Sequence, residues 1–393
     1  MTKFRRSLTM ILCAAMLFAL FTGCSDSDTE KPDEDIDGTP TENGPEQDLY
    51  EDDPYGSDTN NIDFDTAIAA FPPETIMIKS GDLTLTWAEM YFFLFRSVAN
   101  FIQTFQSSFD WSEELDDGTT LADLALKLST EEALTFIVYA YGAKALDITV
   151  SDDDLEMLNA DIESMLSSYD SKEDFEKALR NNSGFYNFEV FERLLKIEYT
   201  VGLIINDLYG DDADSFPDER VDDYVIRNEY MMAKHILRLK TEDDDETPLK
   251  ESEEILKQLK SRVKDDDFLD FFDELMQENS EDPGSQAFPQ GYLFQPAEMV
   301  APFSEATVSL EFGELSDIVE SEYGFHIILR LPVDYDDIPY SLANSGQYNT
   351  LRQLAAIEDF DSIMQGWRDE LSVEYTPEYR SINVADIFAW QRN

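Results

Sequence analysis

Apolar positions along the chain change period several times, and the changes outline its parts. From Thr75, TIMIK and LTLTW alternate about a turn at Ser80, Gly81 and Asp82, which predicts a β-hairpin. The next stretch recurs at three- and four-residue spacing and predicts helices. The first, WAEMYFFLFRSVANFIQTF, opens with a capping box of Thr86 and Glu89. Others start near Leu121 and cover 130–145, 152–168, 172–179 and 185–209, with Ser129, Ser151 and Ser171 as caps. A helix over 218–229 follows Pro217. MMAKHILRL and YGFHIILRL then read as β-branched strands flanking two amphipathic helical patterns, the turn-rich SEDPGS, the run QGYLFQPAEMVAPF and a further strand, GELSDIV. The order is strand, helices, loop, helix, strand, strand. Helical spacing returns over 349–371, and the last stretch, VEYTPEYRSINVADIF, reads as irregular.

The N-terminal pattern has a different meaning. Lys3, Arg5 and Arg6 precede an apolar run from Leu8 to Phe21 that is too short to span a bilayer, so 1–24 reads as a secretory signal. Its end, FTGC, resembles a bacterial lipobox with Cys24 as the acylated residue, although Phe21 stands where leucine is commoner. An uncleaved anchor helix is the alternative, and either way this end reaches a membrane. Cys13 lies in the leader, so the mature body has no cysteine for a disulfide or thiol chemistry. Residues 25–65 are rich in Asp, Glu, Ser, Thr, Gly and Pro. They read as a disordered acidic tether, because so little apolar surface cannot offset chain entropy. No EF-hand spacing appears among their carboxylates.

With 85 acidic against 28 basic residues and a net charge of -57, the chain is unsuited to nucleic acid, which needs basic surfaces. The acidity suits solubility and the capture of neutral or basic unfolded chains.

The only two histidines of the sequence, His235 and His326, stand in nearly the same words, HILRL and HIILRL. On neighbouring strands their rings would meet on one face and fix each other's tautomers. The segment resembles the parvulin peptidyl-prolyl isomerases, especially those of bacterial PrsA-type and SurA-type foldases. Its landmarks in order are HIL at His235, SEDPGS, GYLF from Gly291, MVAPF from Met299, GELS from Gly313 and YGFHII around His326. PQGYLF replaces the GGDLG of many parvulins, a departure that bears on the pocket wall.

The resemblance implies an α+β protein: a mostly helical chaperone domain built from N- and C-terminal segments, with an inserted parvulin-like α/β domain of four strands and surrounding helices. Its spans are 66–229 for the helical region, 230–333 for the parvulin and 334–393 for a C-terminal helix packing on the helical region. It further implies His235, Asp282 and His326 as catalytic residues. Met299, Phe303, Phe294 and Leu293 would line the proline pocket, with Ser321 in the network. Read singly, Met299 and Phe303 are core residues of a helix and Asp282 a turn residue before Pro283.

Rotating a prolyl bond breaks no bond and moves no proton. The barrier of about 18 to 20 kcal/mol is that of twisting a conjugated amide, and a thousandfold acceleration needs only about 4 kcal/mol. No cofactor or metal is called for, and the two histidines with Asp282 lack ligand spacing. The loop KTEDDDETPLKESEE would repel a phosphoserine; Thr247 and Pro248 in it read as the cap and first position of a helix. The expected protein is an extracytoplasmic isomerase and foldase, lipid-anchored to a bacterial cell membrane. Its partners would be unfolded or newly exported polypeptides with Xaa-Pro bonds. A holdase with an inactive parvulin and a structural surface-binding lipoprotein are the rival readings, and a homodimer through the helical region stays open.

Overall fold

The computed structural model describes residues 61–105, 109–240 and 245–391. The expected leader, Cys24 and residues 25–60 of the expected tether lie outside the described residues, as do residues 241–244 of the acidic loop. The described residues begin at Asn61, inside the span expected as tether, and there Ile62 and Phe64 enter a core. Among the described residues no helix is long and apolar enough to cross a membrane. The chain divides into two compact units, one formed by residues up to Asp207 together with those from Ile363, the other by Leu208–Ser362.

In the first unit, β1 (Asn61–Ile62) and α1 (Phe64–Ile68) lead to the expected hairpin, β2 (Ile76–Ser80) and β3 (Leu83–Thr86), whose turn holds Gly81 at φ +61°. Helix α2 (Trp87–Phe105) is apolar nearly all round and accordingly central: Trp87, Met90, Phe92, Phe93 and Leu94 are fully buried. Glu89 reaches back to the Thr86 amide at 2.7 Å, as the capping box requires, and also pairs with Arg193 at 3.0 Å. Helix α3 (Leu121–Ala145) corrects the expected break at Ser129. Its cap is Thr120, in a reciprocal box with Asp123, whereas Ser129 is buried in mid-helix and donates to the Ala125 carbonyl. Ser151 and Ser171 do cap α4 (Asp152–Leu166) and α5 (Lys172–Ser183). Helix α6 (Phe188–Tyr209) carries the chain out of this unit.

The C-terminal residues of this unit are not irregular. Glu374–Tyr375 adds a strand to β2, Trp390–Gln391 pairs with β1, and two short helices lie between, Pro377–Arg380 and Val384–Ile387. Phe388 is fully buried, and its carbonyl accepts from the Trp111 indole at 2.8 Å. These residues pair with positions hundreds of residues away, so their local sequence carries little strand signal.

In the second unit, α7 (Asp218–Arg227) delivers the chain through Glu229, at φ +56°, to β4 (Met231–Leu239). Then follow α8 (Glu246–Arg262), α9 (Phe268–Asn279), β5 (Tyr292–Phe294), α10 (Ala301–Ser309), β6 (Val319–Glu320) and β7 (Gly324–Leu331). Thr247 is not the cap of α8, which starts at Glu246 after Asp245. GELSDIV is not a full strand; it keeps an isolated bridge at Leu315 and the short β6. The strands form one antiparallel sheet in the order β5-β4-β7-β6.

Strand alternation sorts this sheet into two faces. Ile236, Ile327 and Leu329 pack with Ile255, Leu259, Phe272 and Met276 of α8 and α9. Met231, Ala233 and Ile328 face the other way, against Tyr292, Phe294 and Phe303. Fully burying each such side chain is worth about 1.5 to 3 kcal/mol, so both faces are anchored and a register slip of one residue would expose them. Beyond β7 come α11 (Tyr340–Asn344) and α12 (Leu351–Glu370), along which the chain re-enters the first unit.

Candidate active site

Register brings the two histidines together. His235 pairs with Ile328 and Leu237 with His326, so the imidazoles sit on one face, offset by a diagonal step. The rings stack at 5.3 Å and 11°, with their Nδ1 atoms 3.1 Å apart. His235 is 7 % and His326 3 % exposed. The loop after α9 is pinned to β4, since Glu281 N donates to the Leu237 carbonyl (2.8 Å) and Leu237 N to Ser280 Oγ (3.2 Å). That places Asp282 Oδ2 at 3.0 Å from His235 Nε2. At the far end, Ser321 Oγ lies 2.6 Å from His326 Nε2 and accepts from the Tyr323 amide.

One further residue joins, Tyr292, whose hydroxyl donates to Asp282 Oδ2 at 2.6 Å. It was missed in the sequence, where it is simply the tyrosine of GYLF, yet its parity with Phe294 in a short strand was the available signal. Two glycines make room for it. Gly291, at φ +107°, lets the chain pass so close to β4 that a Cβ there would meet the Ala233 carbonyl oxygen at 2.8 Å. Gly284 donates its amide to Asp282 Oδ1, and a Cβ on it would lie 2.0 Å from the Tyr292 hydroxyl.

The proton positions follow from the partners. A carboxylate only accepts, so His235 Nε2 carries hydrogen toward Asp282. With both rings neutral, His235 Nδ1 then accepts from His326 Nδ1–H, and His326 Nε2 accepts from the Ser321 hydroxyl. Every polar atom in the line is satisfied. Burial, with the His235 ring beside it, pushes His326 down to about 4 despite the pull of Asp282. Burial would raise the Asp282 carboxyl, but hydrogen bonds from His235, Tyr292 and the Gly284 amide outweigh it and hold the group at about 2. Burial and that carboxylate raise the Tyr292 phenol. At neutral pH the Asp282 carboxyl is therefore ionised and partly exposed, and the buried His326 is neutral.

Phe303 is buried edge-on to both histidines, at 5.1 and 5.6 Å, and lies 5.6 Å from Phe294. Met299, half-buried, packs on the same cluster and keeps surface toward solvent. Leu293 does not join them. It pairs with Met232 and points to the opposite face of the sheet, as alternation with Phe294 demands. Among the described residues no group of acidic, histidine or cysteine side chains is arranged to hold a metal ion.

Residues 235–331 match the family model of the rotamases, the PPIC-type PPIase domain. A foldase protein PrsA of Oceanobacillus iheyensis is 28% identical over 235 residues, covering 57% of this chain and 70% of the relative. A foldase protein PrsA of Geobacillus kaustophilus is 42% identical over 82 residues, 20% of this chain and 28% of the relative. A chaperone SurA of Nitrosococcus oceani is 31% identical over 122 residues, 30% of this chain and 28% of the relative. Residues 235–331 are thus a PPIC-type, parvulin-like peptidyl-prolyl isomerase domain, and the chain that carries them is similar to the PrsA foldases and SurA chaperones.

Proposed function

We propose that this chain accelerates cis/trans rotation at Xaa-Pro bonds of unfolded, newly exported and unphosphorylated polypeptides. Asp282, Met299 and Phe303 face the substrate, and His235, His326, Tyr292 and Ser321 hold Asp282 in place. The observation that carries this reading is the continuous hydrogen-bonded line from Tyr292 through Asp282, His235 and His326 to Ser321, beside the apolar wall of Phe294, Phe303 and Met299. The substrate's proline ring rests on that wall. The Asp282 charge disfavours the amide resonance form with negative oxygen, which weakens the partial double bond that must twist. The histidines are buried and shuttle no proton, in keeping with a reaction that moves none.

The remaining parts extend this reading. Acylation at Cys24 tethers the chain to the outer face of the cell membrane, the acidic residues 25–60 act as a spacer, and the helical unit engages clients. The charge, the leader pattern and the extracytoplasmic character of PrsA relatives support this placement. A homodimer through the helical unit would double the client surface.

The test is NMR exchange in a short unphosphorylated Xaa-Pro peptide, with Asp282→Ala and Met299→Ala variants checked for folding. Accelerated exchange that both variants lose supports the assignment. Exchange at the spontaneous rate, with aggregation of unfolded chains still suppressed, would make the parvulin a platform in a holdase; stable capture of one folded partner would make the chain a structural surface lipoprotein.

A further inference from the structure

The family match ends at residue 331, but the aromatic cluster beside Asp282 does not. Tyr340, the first residue of α11, sets its ring edge-on to Tyr292 at 5.4 Å and 73°, and edge-on to Phe288 at 5.2 Å and 63°. Phe288 and Tyr292 are themselves 5.1 Å apart, so the three rings close a triangle. On its other side Tyr292 meets His235 at 5.6 Å. Tyr340 shares this cluster with Met299, Phe294 and Phe303, stays half-exposed, and makes no side-chain hydrogen bond among the described residues.

Tyr292 delivers its hydroxyl to Asp282 from a ring hinged at two side-chain torsions. β5, which carries it, is only three residues long and lies at the sheet edge. Backbone pairing alone leaves such a ring free to swing, and a displacement of about 1 Å is enough to lose a positioned hydrogen bond. The ring contacts confine it: His235 inside, Phe288 and Tyr340 outside. Phe288 comes from within the isomerase fold. Tyr340 comes from the segment after it.

We propose that Tyr340 is a positioning residue of the active site, its ring holding the Tyr292 hydroxyl on Asp282. The inference rests on the assignment of Asp282 to that site. It makes the segment after β7 part of the isomerase, and an isomerase cut at the end of β7 incomplete.

The contribution is that of a ring, so Tyr340→Phe keeps it and Tyr340→Ala removes it. In the full chain, the Asp282 carboxyl is titrated by carbon-13 NMR, and kcat/KM is read from prolyl exchange. The hydrogen bond from Tyr292 lowers the carboxyl. The expected result is therefore that Tyr340→Ala moves the titration upward and lowers kcat/KM about tenfold, with Tyr340→Phe like the wild type. Tyr292→Phe moves the titration at least as far, and adding Tyr340→Ala to it moves it no further. An Asp282 titration unchanged by Tyr340→Ala overturns the inference, as does a Tyr340→Phe variant as impaired as the alanine. A wild type without isomerase activity refutes the proposed function instead, and the carboxyl titration still decides the role of Tyr340.

Discussion

The imidazoles of His235 and His326 stack 5.3 Å apart with their Nδ1 atoms 3.1 Å from each other, so one ring must donate to the other. Because His235 Nε2 is committed to Asp282, the neutral pair has a single arrangement, and protonating His326 at Nε2 removes its acceptor for Ser321. Burial, with the His235 ring beside it, holds His326 at about 4.

The consequence for stability has a definite sign. Between the folded value near 4 and the ordinary 6.5, the unfolded chain binds a proton that the folded site refuses. The site's contribution, on the order of 3 kcal/mol, is complete above 6.5 and lost as pH falls through 4. Asp282 adds in the same direction, its share present above its ordinary value and lost as pH falls through about 2. Both histidines of the chain lie in this site, so nitrogen-15 NMR of histidine reads it without interference. We expect His326 to titrate near pH 4; a midpoint near 6.5 for that ring would contradict the relay. Tryptophan fluorescence cannot replace this measurement, since Trp87, Trp111, Trp367 and Trp390 all belong to the other unit.

Gly284 offers a test of the Tyr292 hydrogen bond that leaves both side-chain partners in place and keeps the Gly284 amide that donates to Asp282. A methyl group there would lie 2.0 Å from the Tyr292 hydroxyl, so Gly284→Ala displaces the phenol from Asp282 while the sheet stays packed. Activity should fall about tenfold, and Tyr292→Phe combined with Gly284→Ala should be no worse than either alone. Full activity in Gly284→Ala would show that the phenol has room to move and that its hydrogen bond is dispensable.

The strands holding the histidines were legible because HILRL and HIILRL are β-branched and bounded by turn residues. Their diagonal offset was not, since register depends on partners distant in sequence. Asp282, Met299, Phe303 and Ser321 were placed by the order of landmarks around them. Leu293 went wrong for a local reason: in a strand it cannot share a face with Phe294, and applying that rule would have replaced it with Tyr292. Tyr340 had no signal at all, being one aromatic in a polar segment beyond the family pattern. The C-terminal strand at Tyr375 is similar, for it exists only because Ile78 lies opposite.

Ser129 and Ser151 separate the two readings of a serine in a helical stretch. Glycine replaces a serine cap at a cost of only a few tenths of a kcal/mol, whereas in a helix interior it costs about 1 kcal/mol. Ser151 caps α4 through Asp154, while Ser129 is buried within α3, its hydroxyl 2.9 Å from that of Ser97. Urea unfolding followed by tryptophan fluorescence, which reports on this unit, should find Ser129→Gly clearly destabilised and Ser151→Gly nearly unchanged. Equal effects would restore a helix break at Ser129.

Charge around β4 bears on substrate choice. Its cations are already engaged: Lys234 with Asp273 at 2.7 Å, Arg238 with Glu251, and the adjoining Lys240 with Glu320 at 2.6 Å. Asp282 is ionised beside them, Glu281 accepts from the Leu239 amide, and Lys240 is followed in sequence by TEDDDE. A phosphoserine before proline brings close to two negative charges into this field, where the β4 cations already hold carboxylates. We expect kcat/KM for a phosphoserine-proline peptide to be at least about tenfold below that of its serine-proline parent, with the gap narrowing as salt screens the repulsion. The check is exchange NMR on the two peptides at low and high ionic strength. Equal turnover, or a preference for the phosphorylated peptide, would mean that one of these lysines or arginines leaves its carboxylate for the phosphate, and the acidic surface would then have to be read as a gate that a phosphate opens.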